Sequence, residues 1–244
     1  MPSSQPERKV LGCSRLQPFS AVTATPSGAA HAADRARRDA EDEPEAGPRG
    51  LPAVPAASTD ETRRDVRLAV GTAIHRALEA WNLEAGDAAA ERARQRGQLA
   101  SFLPPDLPAA LRDPALGEAE ALLDRMAANG ALDAFAALRG RVLGREVPLL
   151  AAPAGDAEAE PLAAWVGTID LLYRAADGAL VVADYKTDAL PDGGAADFPA
   201  ALAAAVERYR PQLEQYLEAL RPLYPDPPPR AELWFLAAGR VERV

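Results

Sequence analysis

The sequence predicts an α/β fold: a mixed β-sheet flanked by helices and preceded by an N-terminal helical region. Three observations carry that prediction. Apolar residues recur at three- and four-residue spacing through Val66, Val70, Ala73, Ile74, Ala77 and Trp81; short runs rich in Val, Leu and Ile with turn residues between them follow Gly140; and helical spacing returns after Phe198.

Residues 1–60 mix Pro, Ala, Ser, Arg and Glu without a sustained apolar period, which reads as a disordered or linker tail. The remaining 61–244 are expected to form the folded domain, with a helical part over 61–140 and a sheet core over 141–244. Residues 60–81 form the first amphipathic helix, capped by Thr59 or Asp60. Residues 117–138 keep the helical period through Ala121, Leu122, Met126 and Phe135 but break at Asn129-Gly130, so they read as a helix pair. Three strands follow over 141–150, 163–173 and 179–186, and the unbroken apolar run Val181 to Ala183 suggests a strand covered on both faces. Residues 198–220 return to a helix through Val206, Tyr209, Leu213, Tyr216, Leu217 and Leu220. Pro211 inside it must either kink the helix or begin a second one. A last strand is expected over 231–236.

Composition narrows the function classes. The start of the chain lacks an apolar signal core, and no stretch reaches the roughly 20 apolar residues of a membrane helix, so a soluble, cytoplasmic protein without membrane contact is expected. Cys13 is the only cysteine, which excludes a disulfide framework, a Cys-rich zinc site and a four-Cys iron–sulfur cluster. Any metal must therefore be held by oxygen and imidazole. The net charge of −9 argues against strong autonomous binding to nucleic acid, although the basic stretches Arg92, Arg94, Arg96 and Arg139, Arg141, Arg145 leave room for a local groove. Of 27 basic residues only Lys9 and Lys186 are lysine. A lysine retained in a strand of so arginine-rich a chain suggests chemistry that needs a compact point charge rather than a planar fork.

Lys186 has company. Gly167-Thr168-Ile169-Asp170 and Ala183-Asp184-Tyr185-Lys186-Thr187 put two carboxylates and an ammonium into apolar strands, where charge must be paired, hydrogen-bonded or bound to metal. A three-residue turn Ala176-Asp177-Gly178 would pair Ala175 with Ala179 and set Asp170 opposite Asp184, with Cβ atoms about 4.5–5.5 Å apart. A two-residue Asp177-Gly178 turn would instead pair Asp170 with Tyr185 and send Asp184 to the other face. The first is preferred because Asp170, Asp184 and Lys186 then share a face, as befits a catalytic site around a hard cation such as Mg²⁺ or Mn²⁺. The plainer reading is an ordinary edge ion pair of Asp184 with Lys186.

Four motifs in order, Gly71-Thr72-Ala73-Ile74-His75, Gly167 to Asp170, Asp184-Tyr185-Lys186-Thr187 and Tyr209-Arg210-Pro211-Gln212-Leu213-Glu214-Gln215-Tyr216, resemble the RecB/AddA-type nuclease domain of the PD-(D/E)XK superfamily. The resemblance runs from about residue 66 to the C-terminus. It implies a restriction-endonuclease-like core and Mg²⁺- or Mn²⁺-dependent cleavage of DNA, exonuclease rather than endonuclease, in end processing for recombination and double-strand break repair. It implies that His75, Asp170, Asp184 and the main-chain carbonyl of Tyr185 ligand the metal, and that Lys186 positions or activates the attacking water. Gln212 and Tyr216, with Tyr209 nearby, would contact DNA or brace the site. Glu146 stands where such domains often carry an acid, and is otherwise a strand-edge charge. A helix histidine and an aromatic stripe also have packing explanations; Gly71, four residues before His75, would let the helix approach the sheet. The chain has no Gly-Lys-Ser/Thr phosphate loop and hence no ATP site of that kind, so a helicase subunit or missing upstream helicase domains are the expected partners. A nuclease fold that binds DNA or a partner without cutting is the alternative.

Overall fold

The computed structural model describes residues 59–151, 165–191 and 193–244. Most of the expected tail, with Lys9 and Cys13, and the start of the second expected strand lie outside the described residues.

Among the described residues four helices come first: α1 Thr59–Glu79, α2 Ala88–Phe102, α3 Ala109–Ala128 and the short α4 Ala131–Ala136. The strands β1 Val142–Ala151, β2 Trp165–Arg174 and β3 Leu180–Lys186 follow, then the long helix α5 Phe198–Leu220, then β4 Arg230–Phe235 and β5 Arg240–Arg243. They form one five-stranded sheet in sequential order, antiparallel except where β3 runs parallel to β4. That one parallel pair requires a crossover, which α5 supplies. Among the described residues no helix is long and apolar enough to cross a membrane.

The helices differ from expectation where burial is polar. Helix α1 buries Val66, Ala69, Val70, Ala73, Ile74, Ala77 and Leu78, the stripe that its spacing predicts. It starts at Thr59, so Thr59 and Asp60 belong to its first turn rather than capping it, and Asp60 and Glu61 there complement the positive end of the helix dipole. Helix α2 escapes sequence periodicity because two of its three buried residues, Glu91 and Gln95, are polar. Asp87 caps it, accepting the N–H groups of Ala89 and Ala90 at 2.8 and 3.1 Å. Glu91 accepts Arg94 Nη2 at 2.6 Å and the Asn82 N–H at 2.8 Å, and these bonds, Arg94's foremost, outweigh burial and hold its carboxyl down at about 2. Helix α5 continues through Pro211 as a single 23-residue element, so no second helix begins there. Buried Ala205 before the proline and Leu213, Tyr216 and Leu217 after it anchor both halves against the sheet.

Two apolar layers sandwich the sheet. On one side Leu171, Tyr173, Val181, Ala183 and Tyr185 pack with α1 to α4; on the other Ile169, Leu180, Val182, Leu233 and Phe235 pack with α5. β3 thus contributes to both layers, as its apolar run predicts. The β2–β3 turn has three residues: Ala175 donates to the Ala179 carbonyl at 2.8 Å, and Gly178 stands at φ +87°. Its register, Leu171 with Ala183 through Arg174 with Leu180, carried one step further sets Asp170 across from Asp184.

The pairing of β1 with β2 is irregular in its middle. Arg145 pairs with Leu171 and Val147 with Ile169, which leaves Glu146 beside Asp170. Leu171 packs against the helical layer but Ile169, two residues earlier, packs against α5. Residues two apart normally share a face, so the strand pair changes phase at the row of Glu146 and Asp170. Glu146 takes up the change with φ +48°, unusual for a residue bearing a side chain.

Because Gly178 holds the positive φ that sets the β2–β3 register, Gly178→Val is expected to destabilise the fold by about 1–2 kcal/mol in urea unfolding. An unchanged midpoint would remove that turn from control of the register.

Candidate active site

At the change of phase, Asp170 serves both sides of the sheet. Its Oδ2 accepts the backbone N–H of Tyr185 at 2.6 Å, closing the ladder where β2 and β3 end their pairing, and its Oδ1 lies 3.5 Å from His75 Nδ1. His75 projects from α1, whose glycine one turn earlier brings helix and sheet together: a Cβ on Gly71 would lie 3.4 Å from Thr187 Oγ1. The same imidazole nitrogen is 3.8 Å from Glu146 Oε1. His75, Glu146 and Asp170 each present one potential ligand atom, all within 4.8 Å of one another, a hard-donor set suited to a divalent cation.

Asp184 continues the row on β3. Its Oδ2 lies 2.6 Å from Lys186 Nζ without hydrogen-bond alignment, so that buried oxygen is ion-paired yet makes no directed hydrogen bond. Its Oδ1 accepts Gln212 Nε2 at 3.2 Å. Lys186 also donates to Gln212 Oε1 at 3.4 Å and lies 4.0 Å from the centre of the Tyr209 ring, while the Tyr209 hydroxyl donates to Asp188. Gln212 Nε2 further reaches the Tyr216 hydroxyl at 3.0 Å, and Tyr216 donates to the Thr168 carbonyl at 2.7 Å. A fully buried Tyr216 therefore braces the site from α5, and Gln212 and Tyr209 hold Asp184 and Lys186.

The expected residues all converge on this region, with two differences in grouping. Glu146 joins His75 and Asp170, whereas Asp184 is engaged with Lys186 and Gln212. Tyr185 meets the site through its N–H, while its buried ring packs edge-on to His75 at 5.6 Å. Glu146, which the resemblance alone marks, enters through a backbone conformation that its neighbours in the sequence do not announce.

Charge crowding governs protonation. Burial disfavours the charged imidazole of His75, but Asp170, and with it Glu146, outweighs this and raises it to about 10. Burial first and Asp170 second push the Asp184 carboxyl up to about 6, against the pull of Lys186.

Residues 49–244 match the PD-(D/E)XK nuclease superfamily. This chain belongs to that superfamily. Asp184-Tyr185-Lys186 reads as the D-X-K of its name, with Asp170 as the preceding aspartate; Ile169 stands where the name puts proline. A curated relative, an ATP-dependent helicase/nuclease subunit of Bacillus velezensis, is 38% identical over 111 residues, a match covering 43% of this chain and 9% of that protein. The chain therefore spans a small fraction of that relative's length.

Two outcomes follow from the protonation states. A metal-bound imidazole must be neutral, so Mn²⁺ binding at pH 7.5 should release about one proton from His75. Calorimetry in buffers of different ionisation enthalpy checks this, and zero release would remove His75 from the ligand set. For Asp184, a folded-state value of about 6 lies above the ordinary carboxylate value, so stability is lost as pH rises from that value to about 6 and the loss levels off above it. Asp184→Asn should therefore leave the metal-free Tm at pH 7.5 unchanged or higher, with the difference shrinking toward pH 4. A lower Tm at pH 7.5 would show the Lys186 pairing to dominate.

Proposed function

We propose that this chain hydrolyses DNA phosphodiester bonds using Mg²⁺ or Mn²⁺. The supporting observation is one row of carboxylates, Glu146, Asp170 and Asp184, flanked by His75 and Lys186 at the end of the β2–β3 ladder. His75, Asp170 and Asp184 with the Tyr185 carbonyl would hold the cation, and the geometry adds Glu146 to them. When bound, the cation supplies polarisation of a phosphoryl oxygen and a water of lowered pKa. The protein's part is positional. Lys186, confined by Asp184, Gln212 and the Tyr209 ring, presents a compact charge for the attacking water and the scissile phosphate. Gln212 and Tyr216 keep Asp184 from turning away from the row.

The proposal extends to DNA end processing in recombination and double-strand break repair, as an exonuclease rather than an endonuclease, in the cytoplasm. Two facts favour a helicase beside it, as partner or as upstream domains: the relative's name joins helicase to nuclease, and a net charge of −9 suits a cutter whose substrate is delivered.

Lys186→Ala and Asp184→Ala are each expected to lower cleavage of end-labelled DNA by roughly 10²–10⁴-fold or more with circular dichroism unchanged. Full activity in either folded variant would overturn the proposal.

A further inference from the structure

The residue beside Glu146 does something that the site's own chemistry does not require. Arg145 Nη1 lies 2.7 Å from the carbonyl of Glu79, 2.6 Å from that of Trp81 and 3.3 Å from that of Leu78. Leu78 and Glu79 end α1 and Trp81 follows two residues later, so the three carbonyls stand where a helix exposes acceptors and its dipole favours a cation. Among the described residues Arg145 has no carboxylate within salt-bridge distance, so its charge is devoted to this helix end. Its guanidinium also stands 5.5 Å from the centre of the Phe135 ring, which packs edge-on to Trp81 and to Tyr185, and Tyr185 packs edge-on to His75.

Adjacent residues of β1 thus grip the same helix at two points. Arg145 holds its last turn, and Glu146 reaches His75, four residues and about 6 Å of helix back from Glu79. A metal centre demands ligand distances within about 0.2 Å, so a helix free to slide or tilt on the sheet would carry His75 out of range of Glu146 and Asp170. We infer that Arg145 is a positioning residue for the metal centre: by clamping the C-terminus of α1 to β1 it fixes His75 against Glu146 and Asp170. This rests on the metal-nuclease reading above. Nη1 alone makes the three carbonyl contacts, so a lysine ammonium can keep part of them, whereas the planar guanidinium also reaches the Phe135 ring.

The test compares the wild-type chain with Arg145→Lys and Arg145→Met in Mn²⁺ calorimetry, with metal-free thermal melts and DNA cleavage over a range of Mn²⁺ concentrations. The expected result is a folded variant whose Mn²⁺ affinity falls roughly 10- to 100-fold, the usual effect of losing a group that orients a ligand, with Lys less impaired than Met. Cleavage should recover at saturating Mn²⁺, unlike that of Asp170→Ala, because the ligands themselves remain. Unchanged affinity in a folded variant overturns the inference and leaves the nuclease reading intact. Failure of both variants to fold also overturns it, since Arg145 would then support the fold as a whole. A wild-type chain that binds no Mn²⁺ overturns this inference together with the metal-nuclease reading.

Discussion

The structure depends on a change of phase between β1 and β2. A regular strand pair would keep alternate side chains on one face, and Asp170 would then face α5 with Asp184, out of reach of a histidine carried by the opposite helical layer. Turning the pair at Glu146 and Asp170 lets one aspartate address both layers: one oxygen binds the Tyr185 N–H and the other faces His75. The rest of the fold accommodates that turn. Gly71 brings α1 against the sheet, α5 supplies Gln212 and Tyr216 from the other side, and the three-residue turn keeps Asp170 in line with Asp184.

The electrostatic consequence is a site whose groups pull the metal-free protein in opposite directions: the raised Asp184 carboxyl opposes folding above pH 6, and the raised His75 imidazole favours it below about pH 10. Three carboxylates from neighbouring strands lie in one row, and among the described residues the basic groups paired with them are His75 and Lys186. Asp170 raises both neighbours, His75 as a cation drawn to it and Asp184 as an anion repelled by it, although at Asp184 burial is the larger cause. The buried carboxylate of α2 shows the contrast. Glu91, nearly as buried as Asp184, is saturated by Arg94, Gln95 and the Asn82 N–H, and its carboxyl is held low instead of high. Two buried acids in one domain thus mark the difference between a group locked for structure and one held ready for a ligand.

Much of this was legible in the sequence. The core strands, α1, α5 and the α3–α4 break follow from apolar periodicity, and of the two turns open to Gly178 the structure has the three-residue one, preferred because the charges then share a face. Legibility failed where the physics is not periodic. Helix α2 buries Glu91 and Gln95, so its inward face looks like a solvated one. β5 is four residues, Arg-Val-Glu-Arg, placed by a hairpin at Gly239 and not by any apolar pattern of its own. Glu146 is marked through the resemblance alone, with a strand-edge charge as the other reading, because its place in the site comes from a backbone angle that the sequence does not announce. Arg145 was visible merely as part of a basic stretch, yet its charge faces inward to a helix end.

The two outer strands of the sheet are β1 and β5, and unpaired strand edges invite other chains to add to them. β5 meets that hazard with charge, through Arg240, Glu242 and Arg243 on a short strand. β1 is longer and more apolar, but its register shifts between Val142 and Gly144 and its backbone turns again at Glu146, so it offers no straight ten-residue template. The distortion that builds the carboxylate row therefore also blunts this edge of the sheet. A sequence change that straightened β1 would break up the row and lay open a flat strand edge at the same stroke.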